Sequence, residues 1–331
     1  MTAVAVQHPC CDAETLADLR LVAAELEAAF ADLPVRVGRP LAYPLARGGK
    51  LLRPAVLLAA SRLAPEPVPE RIGLAAAAEL LHLASLIHDD VVDCARRRRG
   101  RPSLNARWGE GVAVLTGDVY MTAAVNRLAG LCDGRFLPQF IDCAAAMCLA
   151  ELKQTLARFD PDQSEESYLA AISGKTAALF SACASAGGAL AGLGAAEQES
   201  LTQYGWNLGM AFQLADDIAD LSVHPGAEAG GQDIAVGIWT LPVLHCLRSA
   251  AGPTVLRLLA SGRARAELPA IRAALRDSGS FAYAIERART FCRRARAALD
   301  ALPRAAAAAT LADVVNRVDA DLSEHESAAC Q

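Results

Sequence analysis

Aromatic side chains are scarce in this chain, at 5% of residues. Runs in which apolar and polar residues alternate are missing too, so little in the sequence favours a sheet. Basic residues are not in excess: the formal net charge is −5, which excludes a global field for nucleic acid or anionic lipid and makes any basic site local. Zinc-like CxxC pairs are absent although there are ten cysteines, and the opening MTAVAVQHPCC lacks the basic and apolar blocks of a secretory signal. Both absences point to reduced thiols in a cytoplasmic protein.

What is abundant is alanine and leucine, within a hydrophobic share of 53%. Such residues suit tightly packed helices, and apolar positions recur at helical spacing between Pro- and Gly-rich breaks near Pro34, Ala64, Phe159, His224 and Pro253. The clearest helical segments are 70–93 and 201–221. No change of composition marks a linker, so the expectation is all-α: a single multi-helix domain over 1–331, loose at 1–12 and 325–331. The stretch 176–196 has no charge and is long enough to span a bilayer. It is rich in Ala, Gly and Ser, which insert poorly but let helices approach closely, so a buried core helix is expected rather than a transmembrane segment.

Two acidic clusters stand out. Asp89, Asp90 and Asp93 close the apolar segment AAAAELLHLASLIH, and Asp216, Asp217 and Asp220 close GMAFQLA. Asp89 and Asp93 are four residues apart and share a helix face. Like charges at that spacing repel, and negative charge opposes the dipole at a helix C-terminus. The pattern therefore calls for cations, and hard carboxylates with no His or Cys constellation suit Mg²⁺ shared with substrate phosphates. The arginines of CARRRRGRP can match anionic oxygens, with Arg96, Arg97 and Arg101 read as a solvated basic loop. A third cluster, RGGKLLRP, sets Lys50 and Arg53 beside Gly48 and Gly49, a second basic locus that makes two phosphate-bearing substrates plausible.

Taken in order, GGKLLRP, LIHDDVVD with RRGRP, the KT at Lys175 and GMAFQLADDIAD resemble the motifs of the trans-isoprenyl diphosphate synthases, the polyprenyl synthetase family, over 48–245. The resemblance implies an antiparallel helical bundle around a deep central cavity (the isoprenoid synthase fold), acting as a homodimer. It implies three Mg²⁺ ions on Asp89, Asp93 and Asp216, with Asp90, Asp217 and Asp220 in support. Arg98, Lys175, Thr176 and Gln213 would hold an allylic prenyl diphosphate, and Lys50, Arg53, His82 and Arg99 would hold isopentenyl diphosphate. Asp118, Glu151 and Gln154 are read as structural. The implied reaction ionises the allylic diphosphate, joins the cation to isopentenyl diphosphate and releases a longer all-trans polyprenyl diphosphate.

Product length in this family is set one helical turn before the first motif, where this chain has the small Ala84 and Ser85; products beyond fifteen carbons are implied, and Ala84→Phe is expected to shorten them. The chain departs from the family after the second motif. Where GKxxGxDLxxGKxTLP is usual it reads AEAGGQDIAVGIWTLP, with Glu228 and Ile238 in place of two lysines. Three readings stay open on the sequence: a chain-elongating synthase, a relative that sends the cation into cyclisation or to a non-isoprenoid acceptor, and a non-catalytic partner subunit.

Overall fold

A computed structural model describes residues 11–46, 49–63, 68–98, 100–222, 230–302 and 306–329. Among them the good helix formers build sixteen α-helices. The extended pairing among these residues is a two-strand antiparallel hairpin, β1 (Arg97–Arg98) with β2 (Arg101–Pro102). The fold is all-α, as the composition implies. Two compact units are distinguished, and each is described by itself.

The first unit comprises Met1–Ala144, Leu179–Gly205 and Ala301–Val314. It contains α1 (Ala13–Ala28), α2 (Val35–Leu45), α3 (Leu52–Ser61), α4 (Arg71–Val92), the hairpin, α5 (Leu104–Trp108) and α6 (Glu110–Gly130). It also takes the start of α7 (Leu137–Leu156) and most of α9 (Ala178–Leu190). Helix α4 is its apolar axis, with every residue from Leu74 to Leu81 buried. A buried carboxylate fixes the entry to that helix: Asp18 of α1 accepts two bonds from Arg71, at 2.8 and 2.9 Å, and two from Arg62, at 2.7 and 3.2 Å. Three chain segments thereby share one charge-assisted junction.

The break at Pro34 is real, yet the chain resumes as α2 immediately, with Pro40 and Pro44 inside the helix. The carbonyl that Pro40 leaves without its helical donor belongs to Arg36, an exposed residue that water can reach. The stretch 176–196 is likewise not one helix. It begins in a π-turn at Ser173–Ala177, continues as α9, and stops where Gly192 takes φ +69° and Leu193 N–H closes on the Gly188 carbonyl at 3.1 Å. Its small residues do allow close approach: Gly187 lies against the Leu57 carbonyl and Gly205 against that of Phe180.

The second unit comprises Ala145–Ala178, Trp206–Asp300 and Val315–Gln331. It holds the rest of α7, α8 (Glu165–Ile172), the π-turn, the C-terminal part of α10 (Ala195–Leu221) and α11 (Gln232–Ala235). Helices α12 (Leu241–Leu247), α13 (Gly252–Leu259), α14 (Leu268–Asp277), α15 (Ser280–Leu299) and most of α16 (Ala306–Ala329) complete it. Prolines stand in the first turn of α12, α13 and α14, where their missing N–H costs nothing. Arg296–Asp319 and Arg289–Glu326, both at 2.7 Å, pair α15 with α16.

Two helical stretches, Arg71–Val92 and Glu165–Leu190, are long and apolar enough to cross a membrane, and 56% of each apolar window is buried within the protein. Both are core helices, and each carries part of the site described next.

Candidate active site

In the first unit the site begins on α4. His82, Ser85, Asp89 and Asp93 are all partly exposed and, at spacings of three and four, form one stripe along the C-terminal half of the helix. Asp90, one residue and so about 100° away from Asp89, is 3% exposed. It accepts Arg98 Nε at 2.6 Å, while its backbone carbonyl accepts Ala95 N–H at 2.9 Å and Asn105 Nδ2 at 3.0 Å. Cys94, with φ +49°, supplies the left-handed residue that turns the chain out of α4. Arg98 thus partly answers the charge problem at this helix end, and the hairpin is what carries it there.

Ser85 Oγ donates to the His82 carbonyl, and Ala84 has no exposed surface. Of the two positions expected to set product length, Ser85 is the one on the open stripe. His88, beside Asp89, meets the Val114 carbonyl at 3.2 Å and Asp118 at 3.4 Å, and Gly117 leaves the room its ring occupies.

The basic locus also lies in this unit. Leu51, at φ +43°, turns the chain from Lys50 into α3. Arg53 is buried, places its guanidinium 4.6 Å over the Phe180 ring and approaches His82 Nε2 at 3.1 Å. Because a guanidinium only donates, Nε2 accepts and Nδ1 is left as the ring's donor. Arg53 and His82, predicted to share a ligand, are therefore in contact. Arg99, Gly48 and Glu228 lie outside the described residues.

In the second unit the site is a chain of hydrogen bonds. Thr176 Oγ1 donates to Gln213 Oε1 at 2.5 Å, Gln213 Nε2 to Asp217 Oδ1 at 2.7 Å, and Tyr168 Oη to Asp217 Oδ2 at 2.5 Å. Lys175 pairs with Glu151 at 2.7 Å and donates to Gln154 Oε1 at 2.9 Å. Lys175 and Thr176 sit in the π-turn, where one extra residue per turn re-aims side chains. Only glycine fits at 174, since a Cβ would come within 2.8 Å of the Ala150 Cβ. Asp216 is exposed, and Asp220 accepts the backbone N–H groups of Gln232 and Asp233, each at 3.2 Å.

The electrostatics of this half show a deficit of positive charge. Burial pushes the Asp217 carboxyl up to about 7, against the Tyr168 and Gln213 bonds that lower it, and Asp216 raises it further. Asp233 is also raised, by burial first and then by Asp217 and Asp220. Ile238 is 7% exposed, so no cation comes from the position of the second expected lysine. A bound cation would reverse these shifts. Among the described residues no group of three or more His, Cys, Asp or Glu side chains could hold a metal by itself. That fits Mg²⁺, which takes one or two carboxylates and completes its shell with water and phosphate oxygens. The first and last aspartates of each triplet keep exposed surface for this, while Asp90 and Asp217 are committed to hydrogen bonds.

Sequence reasoning missed Tyr168 and Asp233; Glu151 and Gln154, read as structural, are the residues that hold Lys175. Asp233 stands at the acidic position of the GxD pattern in the loop after the second motif, which was a usable signal. Tyr168 carries none, because its partner is set by how α8 meets α10.

A family model described as polyprenyl synthetase matches residues 35–276. Octaprenyl diphosphate synthase of Haemophilus influenzae is 35% identical over 277 residues, covering 82% of this chain and 84% of that protein. The crystal structure of a decaprenyl diphosphate synthase from Rhodobacter capsulatus matches with a TM-score of 0.87 at 31% identity, covering 93% of this chain and 97% of that one. A polyprenyl synthase from Caulobacter crescentus, complexed with calcium and isoprenyl diphosphate, matches with a TM-score of 0.85 at 30% identity, covering 92% of this chain and 94% of that one.

Proposed function

Since this chain belongs to the polyprenyl synthetase family and is a polyprenyl diphosphate synthase, we propose that Asp89, Asp93 and Asp216 hold Mg²⁺ against the diphosphate of its allylic substrate. The enzyme is a prenyltransferase that condenses an allylic diphosphate with isopentenyl diphosphate to give an all-trans product of twenty carbons or more. The observation that carries the metal assignment is the cluster of mutually repelling, partly buried carboxylates around Asp217. Bound there, Mg²⁺ supplies Lewis-acid charge to the leaving diphosphate; three ions are expected.

Lys175 and Arg98 turn from Glu151 and Asp90 to the allylic diphosphate, with Thr176 and Gln213 as further ligands. The allylic C–O bond breaks and its electron pair leaves with the diphosphate. Lys50, Arg53, His82 and Arg99 hold isopentenyl diphosphate so that its double bond attacks the allylic C1. The proton lost from the new cation goes to the released diphosphate, which restores an allylic diphosphate one unit longer. Apolar walls keep water from capturing the cation.

The test is incubation of purified protein and Mg²⁺ with farnesyl diphosphate, with and without isopentenyl diphosphate. Elongated diphosphates are expected only when both are present. Hydrocarbon or alcohol from the allylic diphosphate alone would instead support the diverted reaction.

Two further results are expected. Ser85→Phe shortens the product by at least one unit, read by mass spectrometry of the dephosphorylated chains, because it fills the open stripe next to Asp89. The second concerns metal binding. A carboxyl raised by burial makes the ligand-free protein lose stability as pH rises through about 7, and a cation removes that loss. The rise in Tm on adding Mg²⁺ with inorganic diphosphate is therefore larger above that pH than below it; an equal rise on both sides would remove the assignment.

A homodimer of one catalytic domain per chain completes the proposal. Exposed Val112, Leu115 and Val119 on α6, and Leu149, Leu152 and Leu156 on α7, give each helix an apolar outer face that supports it. The eight described cysteines are thiols rather than disulfides, and a reducing cytoplasm is the proposed setting.

A further inference from the structure

The hairpin carries more arginine than the reaction uses. Arg98 is committed to Asp90, whereas Arg96, Arg97 and Arg101 are exposed. This basic surface continues onto α2. Tyr43 Oη donates to the Pro102 carbonyl at 2.8 Å, and the Arg107 guanidinium lies 4.8 Å over the Tyr43 ring. Along α2, Arg36, Arg39 and Tyr43 follow spacings of three and four residues and form one stripe about 10 Å long. Tyr43 thus joins the exposed arginines of α2 to the hairpin and to Arg107.

At the outer end of the stripe, and on the arginine side of α2, the chain exposes apolar side chains: Leu33 at 40% and Val35 at 69%. Between Leu33 and Ala46 the chain has no acidic residue, so this stretch is a local reversal of sign in a chain of net charge −5. Val35, four residues before Arg39 and so on its face, combines with Leu33 and the arginines the two attractions of a bilayer interface, apolar insertion at headgroup depth and attraction to anionic lipid. A nucleic acid would use the arginines and leave Leu33 and Val35 in water.

We propose that this face of the first unit docks on the surface of an anionic lipid bilayer. The contact is peripheral, with α2 lying along the headgroups and the hairpin arginines beside it. It goes beyond the catalytic reading and does not depend on turnover, although a product with a long apolar tail gains from being made next to a membrane.

The test is co-sedimentation of the full chain with vesicles of phosphatidylcholine alone or with about 30% phosphatidylglycerol. The wild type is expected to pellet with the anionic vesicles only, and to be released by about 0.5 M NaCl. Arg36→Glu/Arg39→Glu/Arg101→Glu is expected to bind at least tenfold more weakly, and Leu33→Ser/Val35→Ser several-fold more weakly. Both variants alter exposed side chains outside the reaction, so Tm and turnover in vesicle-free buffer are expected to match the wild type. Equal binding to neutral vesicles, no binding by the wild type, or full binding by the triple variant would overturn the proposal. So would a changed oligomeric mass in the triple variant, which would mark the face as a protein interface.

Discussion

Asp216→Ala lowers turnover about a thousandfold without lowering Tm. The figure corresponds to about 4 kcal/mol of lost charge stabilisation as the diphosphate departs. The two readouts separate because Asp216 is exposed. It also sits among the like charges that raise Asp217 and Asp233, so its removal relieves repulsion in the ligand-free protein. Asp217→Ala behaves differently, since it leaves Tyr168 and Gln213 without their shared acceptor and lowers Tm as well as turnover. Steady-state kinetics with farnesyl and isopentenyl diphosphates, paired with thermal melts, check both. Turnover within tenfold of wild type for Asp216→Ala would remove that residue from the metal site.

Gly205→Ala destabilises the fold by about 3 kcal/mol, at the upper end for overpacking a core. A Cβ at 205 would fall 2.5 Å from the Phe180 carbonyl oxygen and 2.7 Å from the Ser181 Cα. Both are backbone atoms, so no rotamer change relieves the clash and α9 must move away from α10. Phe180 is the ring beneath Arg53, so the displacement also reaches the proposed isopentenyl diphosphate ligand Arg53. Denaturant or thermal unfolding measures the loss. Gly111→Ala is the control: it meets nothing within 4 Å and is expected to be neutral or slightly stabilising through helix propensity. Equal stability of Gly205→Ala and wild type would show that the two helices have slack at this crossing.

The helices bearing the aspartates were legible because each is a long apolar run ended by a charge cluster. Segment 70–93 became Arg71–Val92, and the segment expected at 201–221 starts earlier, at Ala195. The hairpin at Arg97–Pro102 was not legible: its pairing is two residues long, and arginine has no strand preference to reveal it. The π-turn was hidden because SGKTA reads as ordinary helix. What sets it is the close approach of Gly174 to Ala150, a tertiary contact. Within the site, Arg53 and His82 could be named from their motifs, but not their mutual bond, which joins positions 29 apart. Lys175 could be named too, but not its pairing with Glu151 and Gln154, because an ion pair between two helices leaves no periodic trace.

That pairing bears on how the enzyme meets its substrate. Lys175 and Arg98 each begin on a carboxylate of their own chain. In the proposed site, capture of an anion is a swap of partners: each incoming oxygen displaces an acid that was already neutralising the base. Little net charge is gained on capture, so affinity should decline with ionic strength more gently than the tally of cationic ligands suggests. A lone orthophosphate, too small to compensate both displaced acids, makes a poor competitor.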